Sequence, residues 1–398
     1  MKILLLENIH PVAEEYFKKK NYELETVNDS LDENELIEKL QDVHILGIRS
    51  KTQITAEVIK NNPSLEAIGA FCIGTNQIDM EACNKYGVAV FNAPFSNTRS
   101  VVELAIGNMI ALMRQIFDKS RMLHEGQWYK TATNSFEVRG KSLGIIGYGN
   151  IGSQLSVLAE ALGMKVYFYD IEDKLPLGNA EVCESMEELL QLADVITVHV
   201  DGRPSNKNLI DSEQFQLMKD GAIFINLARG FIVNIEALAE NLRSGKIGGA
   251  AVDVYPTEPK LKKTEYHTVL QNLPNTILTP HIGGSTEEAQ KKIAEFVPTK
   301  LHEFIRTGST MSSVNFPNLQ LQGIRDGHRI IHVHENVPGI MAQINNIFAE
   351  KGINIDSQLL KTNEKLGYVI TDVTQNYNGD VLDRLKNIEN TIMVRVLY

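Results

Sequence analysis

The chain is short of cysteine, has one tryptophan, and lacks any long apolar run. Its three cysteines, Cys72, Cys83 and Cys183, are odd in number and show no CxxC or metal-ligand spacing. That excludes a disulfide framework and a cysteine-based zinc site, and it fits reduced thiols in a reducing compartment. No uncharged apolar stretch approaches the ~18 residues needed to cross a bilayer. The opening MKILLLENIH is broken by Glu7 and Asn8 before it reaches signal-peptide length. Cations are also in deficit, with 39 Lys and Arg against 50 Asp and Glu, a formal charge of −11. A global field of that sign repels nucleic acid and anionic membranes, so an anionic ligand needs a local cluster of donors. A soluble, cytoplasmic protein is expected.

What is present is ordinary for a globular chain: 398 residues, 43% apolar, enough for two or three domains. In the first ninety residues, short apolar runs at 2–7, 22–27, 43–48, 67–71 and 88–92 alternate with amphipathic segments. That alternation predicts parallel strands with helices on both sheet faces. Ser100 and Glu103 have capping-box spacing before the apolar VVELAIGNMIALMR, which predicts a buried helix over 100–114, packed between domains or subunits. A second alternating series runs from Leu143 to about residue 280, with strands at 142–147, 165–169, 194–200, 222–227, 248–255 and 275–280. Six such strands make a complete dinucleotide-binding domain. The segment 286–306 reads as a helix returning to the first domain. A polar, turn-rich stretch at 309–327 reads as a linker. The last seventy residues read strand–helix–strand–strand–helix–strand, the order of a ferredoxin-like module. The expected fold is therefore α/β. It has two Rossmann-like, doubly wound parallel-sheet domains, at 1–98 with 287–308 and at 99–286, followed by a terminal module at 328–398.

The sharpest motif is GYGNIG at 147–152, ending an apolar strand and opening an apolar helix. Gly147 suits the tight turn, Gly149 lets a pyrophosphate approach, and Gly152 lets helix and strand pack closely. The amides of Asn150 and Ile151 begin the helix, whose N-terminus attracts phosphate. Asp170 ends the next strand, where it can accept ribose hydroxyls and repel a 2′-phosphate, which favours NAD over NADP. INLARG at 225–230 sets Arg229 beyond a strand's carboxyl end, where open α/β sheets bind ligands. Its fork suits a carboxylate, the plainer alternative being a surface salt bridge. Asp253 and Glu258 lie in VDVYPTEP, and His281 in TPHIGGST caps the sixth strand. An imidazole oriented by a carboxylate is suited to the proton transfer that accompanies hydride exchange. Trp128 and Tyr129 read as packing at a domain junction, and the KKTE stretch at 262–265 as a solvated loop.

On FCIGTNQID (71–79), FNAPFSNTRSVVELAIG (91–107), GYGNIG with Asp170, INLARG, VDVYPTEP and TPHIGGSTEEAQ, the chain resembles the D-isomer-specific 2-hydroxyacid dehydrogenases. The resemblance extends over essentially its whole length, to a branch ending in an ACT domain. It implies catalytic roles for Arg229, Glu258 and the proton-donating His281. It implies NAD contacts at Leu227, Ala228, Arg229, Asp253, His281, Ile282, Gly283 and Gly284 besides the glycine-rich turn. Where the family usually has Asp, this chain has Asn234, which can also cap a helix. The implied reaction is NAD-dependent oxidation of 3-phospho-D-glycerate to 3-phosphooxypyruvate, opening L-serine biosynthesis, with 2-oxoglutarate as a further substrate of some members. Arg49, Ser50 and Lys51, with Asn97, would bind the substrate, although a basic loop read alone is as often a solvated turn. His334, Asn336 and Asn354 would meet at one strand–helix junction and bind L-serine between subunits, with the strand RIIHVH pairing as an edge. Val337 stands where an arginine is common, and a dimerisation module without effector is the alternative. A homotetramer without metal is implied. Other readings are a dehydrogenase of another 2-hydroxy acid and a non-enzymatic NADH-sensing corepressor, the latter opposed by the acidic charge and the terminal module.

Overall fold

The structure is a computed structural model that describes residues 1–259, 265–322, 327–373 and 379–397. Its contacts separate two units, Met1–Ser96 with Gln290–Tyr398, and Asn97–Ala289. The KKTE stretch falls outside the described residues except for Glu265.

The first unit holds five parallel strands, Lys2–Leu5, Glu23–Thr26, Ile45–Ile48, Ala67–Ala70 and Ala89–Phe91, in the order 2-1-3-4-5. Side chains alternate between faces along a strand. Ile3 and Leu5 join a core with Phe17, Val297 and Phe304, while Leu4 and Leu6 join another with Leu36, Val58 and Val90. Burial on both faces explains why ILGI and AIGA read as unbroken apolar runs. The helix Glu287–Thr307 supplies Val297, Leu301 and Phe304 to the first of these cores.

Four antiparallel strands follow in the same unit: His328–Glu335, Ile355–Thr362, Leu366–Val373 and Thr391–Val396, in the order 2-3-1-4. One face of that sheet packs on its own helices, Ile340–Glu350 and Gly379–Lys386. The other face sends Ile331, Val333, Tyr368 and Ile370 into the core containing Ile3, Phe304 and Phe316. The buried Arg329 makes a two-pronged pair with Asp372 (2.7 and 2.6 Å) and donates to the carbonyls of Thr307 and Gln322. One sequence expectation needs correction here. The strand containing RIIHVH is central, paired on both sides, because a split βαβ places its first strand inside. The edges are Ile355–Thr362 and Thr391–Val396. In the described part of the 309–327 segment Thr310 and Phe316 are buried, and the Asn315 side chain bonds the backbone of Val90 and Val88.

The second unit is a seven-stranded parallel sheet. In chain order its strands are Ser142–Ile146, Lys165–Tyr169, Glu181–Val182, Val195–Val198, Ala222–Asn226, Ile247–Val252 and Thr276–Leu278, arranged 7-6-5-4-1-2-3. The third, only two exposed residues long, carries too little apolar signal to be read from sequence. The apolar helix runs Thr98–Met113, starting earlier than its apparent capping box. Ser100 lies inside it, bonded to the Thr286 hydroxyl (2.8 Å), and Glu103 pairs with Arg99. Val101, Val102, Ala105, Met109 and Leu112 are buried among residues of the same unit, so most of its apolar surface is satisfied within the chain. Trp128 and Tyr129 are 81% and 61% exposed. Among the described residues no single helix is long and apolar enough to cross a membrane.

Candidate active site

The second unit's sheet changes direction of winding between its first and fourth strands, and the glycine-rich turn lies there. A Cβ on Gly152 would fall 2.3 Å from the Gly147 carbonyl oxygen, so only glycine lets the helix Asn150–Ala161 start this close to its strand. Gly149, at the helix N-cap, has nothing within 4 Å of the place a side chain would take, and no side chain caps the helix. Uncapped amides facing open space at a helix N-terminus are what a pyrophosphate requires. Asp170 accepts from the Tyr148 amide (2.8 Å) on one oxygen and the Glu172 amide (3.0 Å) on the other. A carboxylate has about four acceptor positions, so two remain for ribose hydroxyls. These residues fit a dinucleotide. Sequence reasoning missed Tyr148, whose buried ring stacks on Phe168 (3.7 Å) and whose hydroxyl bonds Ser156, bracing the turn from behind.

His281 and Glu258 are brought together: Nδ1 lies 2.8 Å from Oε2. The other carboxylate oxygen of Glu258 accepts from the Tyr255 amide at 3.0 Å. The hydrogen bond to Glu258 raises the His281 pKa above the ordinary histidine range, against an opposing push from burial. Burial pushes Glu258 up, but its bonds from His281 and the Tyr255 amide outweigh that and leave it below the usual glutamate range. Both shifts favour the charged pair, as expected for a histidine facing a carboxylate.

The turn that carries His281 is pinned by Asp253. This buried carboxylate accepts from the Thr279 hydroxyl (2.6 Å) and from the amides of Ile282 and Gly283 (2.8 Å each). His281 itself sits at φ 54°, a region a non-glycine residue occupies only when its surroundings impose it. Gly284 crowds Asn97: a Cβ there would lie 2.3 Å from the Asn97 side-chain nitrogen. Thr279, whose hydroxyl completes the pinning, went unnoticed in sequence although the TPH triplet contains it.

Arg229 follows the strand Ala222–Asn226. The Asn226 side chain accepts from the Ala228 amide (3.1 Å) and donates to the Arg229 carbonyl (3.2 Å), which shapes the turn through Leu227. Arg229 Nη1 donates to the Ala228 carbonyl at 2.7 Å, leaving the rest of the guanidinium to a ligand. A Cβ on Gly230 would lie 1.9 Å from the Tyr255 carbonyl carbon, so the Arg229 turn and the segment leading to Glu258 meet backbone to backbone. Asn234 caps the helix Ile235–Ser244 by accepting from the Ala237 amide (3.2 Å), so Asn does serve where the family usually has Asp.

In the first unit, Arg49, Ser50 and Lys51 follow the strand Ile45–Ile48, with Ser50 and Lys51 exposed. Arg49 donates to the Gln290 side chain at 2.7 Å. Buried Glu7 holds the loop by accepting from the amides of Lys51 (3.1 Å) and Thr52 (2.9 Å). In the terminal module, His334 is buried, with Nδ1 2.7 Å from the Glu335 carbonyl, whereas Asn336 and Asn354 are exposed. These three do not meet at one junction within a chain. His334 pairs opposite Gly367, but Ile355, next to Asn354, pairs opposite Val373 at the far end of the same strand. Six residues at ~3.3 Å each separate them by roughly 20 Å. Helix Ile340–Glu350 returns the chain to the starting end of the sheet, a consequence of the crossover that sequence order conceals. Among the described residues no cluster of three or more His, Cys, Asp or Glu could hold a metal.

A glycine-rich turn with an acidic strand end, beside a histidine–carboxylate pair and an arginine in the same sheet, defines a dinucleotide-dependent hydroxyacid dehydrogenase. Residues 106–283 match the D-isomer specific 2-hydroxyacid dehydrogenase NAD binding domain, and residues 330–393 an AHAS small subunit-like ACT domain. The chain belongs to the D-isomer-specific 2-hydroxyacid dehydrogenase family, and its cofactor is NAD. It is similar along its whole length to D-3-phosphoglycerate dehydrogenases. The Haemophilus influenzae protein is 50% identical, covering 100% of this chain and 97% of the relative. The Escherichia coli K12 protein is 47% identical, covering 100% and 98%. Among solved structures, D-2-hydroxyisocaproate dehydrogenase superposes with a TM-score of 0.72 at 29% identity, covering 79% of this chain and all of that one.

Proposed function

We propose that the chain catalyses the NAD-dependent oxidation of 3-phospho-D-glycerate to 3-phosphooxypyruvate, the first step of phosphorylated L-serine biosynthesis. The observation that carries this reading is the 2.8 Å His281–Glu258 pair on a turn pinned by buried Asp253, in a chain similar end to end to D-3-phosphoglycerate dehydrogenases. Nδ1 of His281 faces Glu258, so Nε2 is the nitrogen that takes the proton of the C2 hydroxyl. Glu258 fixes that tautomer and stabilises the imidazolium as it forms. Arg229 binds the substrate carboxylate and polarises the developing carbonyl. The glycine-rich turn and Asp170 would hold NAD, which would supply the hydride acceptor for C2. Asp253 fixes the turn of Ile282 and Gly283 that carries His281. The substrate phosphate falls to Arg49, Ser50 and Lys51, with Asn97.

The terminal module takes L-serine as a feedback effector through His334, Asn336 and Asn354. The roughly 20 Å between His334 and Asn354 favours a site completed by a second chain, since one chain cannot bring both to one small molecule. A cytoplasmic homotetramer is the assembly we favour. Its second interface is supported by the exposed Ile116, Phe117, Leu123, Trp128 and Phe136 better than by the largely buried helix Thr98–Met113. An assay of NADH formation with 3-phosphoglycerate, glycerate and erythronate 4-phosphate tests the substrate. Preference for either of the latter two assigns another hydroxy acid, and turnover of none favours a sensor.

A further inference from the structure

Behind the loop Arg49–Lys51 lies a buried carboxylate that the reaction itself does not use. The strands Lys2–Leu5 and Ile45–Ile48 are parallel neighbours, with Leu5 opposite Gly47, and the Leu6 amide extends the pairing to the Gly47 carbonyl (2.8 Å). The chain beyond the first strand and the loop beyond the second therefore leave the sheet side by side. Glu7 stands at that exit. It is 7% exposed, and its two carboxylate oxygens accept from the amides of Lys51 (3.1 Å) and Thr52 (2.9 Å). Burying a carboxylate is costly unless hydrogen bonds satisfy it, and here both bonds go to the backbone of the loop.

The backbone beneath that side chain is unusual too. Glu7 sits at φ 64° and Asn8 at φ 51°. A position of that kind under no other demand suits glycine, or asparagine as at residue 8. A glutamate there is accounted for by what its side chain holds. The loop is also gripped at its other end, where the buried Gln77 side chain donates to the Arg49 carbonyl at 2.7 Å. Between the two anchors Ser50 and Lys51 are exposed, and Thr52 is buried. Lys51 thus turns its amide inward to Glu7 and keeps its side chain in solvent.

We propose that Glu7 is a positioning residue that sets the preference of the site for a phosphorylated over an unphosphorylated 2-hydroxy acid. By fixing the backbone at Lys51 and Thr52, it presents Ser50 and Lys51 to a phosphate in one arrangement, so that little ordering is left for the ligand to impose. The charge of Glu7 opposes a phosphate, but across an exposed loop that repulsion is screened, whereas its two hydrogen bonds are direct and charge-assisted. This inference rests on the reading of Arg49, Ser50 and Lys51 as the phosphate site.

The test is steady-state kinetics of the full chain at saturating NAD with 3-phosphoglycerate and with glycerate, the latter read as kcat/KM at high enzyme concentration. Glu7→Gln keeps the size of the side chain but sets an NH₂ against one of the two loop amides. KM for 3-phosphoglycerate should rise about tenfold or more, the size of one lost charge-assisted hydrogen bond, with a much smaller change in kcat. With glycerate, kcat/KM should be unchanged. Glu7→Asp keeps the charge one methylene short and should show the same split at smaller size, which carries the test if the Gln variant does not fold. Equal losses with the two substrates, or a fall in kcat at unchanged KM, would mean general support of the fold and overturn the proposal. An unchanged or lowered KM overturns it as well. A wild-type chain that does not turn over 3-phosphoglycerate overturns the substrate reading together with this inference; one that does, with Glu7→Gln indifferent, overturns this inference alone.

Discussion

Asp253→Asn isolates what holds the proton-transferring histidine in place. Oδ1 accepts from the Thr279 hydroxyl and the Ile282 amide, while Oδ2 accepts from the Gly283 amide. The amide side chain is nearly the same size, but it keeps only one oxygen. With that oxygen at the Oδ1 position, its NH₂ faces the Gly283 N–H, donor against donor; the flipped rotamer abandons two partners instead of one. A hydrogen bond to a buried charged group contributes about 1.5–3 kcal/mol, and a stranded donor adds about 1–3 kcal/mol. A loss of roughly 2.5–6 kcal/mol of turn anchoring follows. His281 holds φ 54° only under that restraint, so the turn should relax. If the loss is expressed in the transition state, kcat falls by about 70-fold to roughly 25,000-fold. The measurement is steady-state kcat and KM for 3-phosphoglycerate, beside NADH affinity by fluorescence quenching. The expected pattern is a large fall in kcat with a small change in NADH affinity. Weakened NADH binding at unchanged kcat would refute the anchoring argument and make Asp253 chiefly a nicotinamide contact.

Glu258→Gln removes the bond that raises the His281 pKa, so the acid limb of kcat/KM for oxidation, which needs neutral His281, should move to lower pH; an unmoved limb dissolves the pair. Replacing His281 with Ala should cut kcat by ~10²–10⁴-fold while NADH still binds, and retained turnover sinks the assignment. Asp170→Ala should erase the preference for NAD over NADP and loosen the Tyr148 turn, as read from kcat/KM with each cofactor. For serine, His334→Ala and Asn354→Ala should each abolish inhibition, but mixed oligomers of the two should regain it, because a site built from two chains leaves one intact pair per dimer. No recovery would place both residues in one chain's site. A chain cut near residue 310 is a poor control, since it exposes the core shared by Phe304, Phe316 and Tyr368.

The sequence alone determined whatever depends on local periodicity and on turns that tolerate one residue type. The unbroken apolar strands followed from burial on both faces. The GYGNIG turn, Asp170 at the next strand end, Arg229 after its strand and the Asn234 cap were all legible, since each is a neighbour-to-neighbour constraint. A capping box at Ser100 was a local signal that tertiary context overrode, as Ser100 bonds Thr286 from another segment. Only the fold decided the rest. Glu258 and His281 are 23 positions apart, and their 2.8 Å pairing depends on adjacent parallel strands ending at the same level. The double duty of Asp253, the central place of the RIIHVH strand and the bonds from Asn315 to Val88 and Val90 likewise join residues distant in the chain. Sequence specifies which face of an element is apolar; which partner covers that face is settled by the packing of all the others at once.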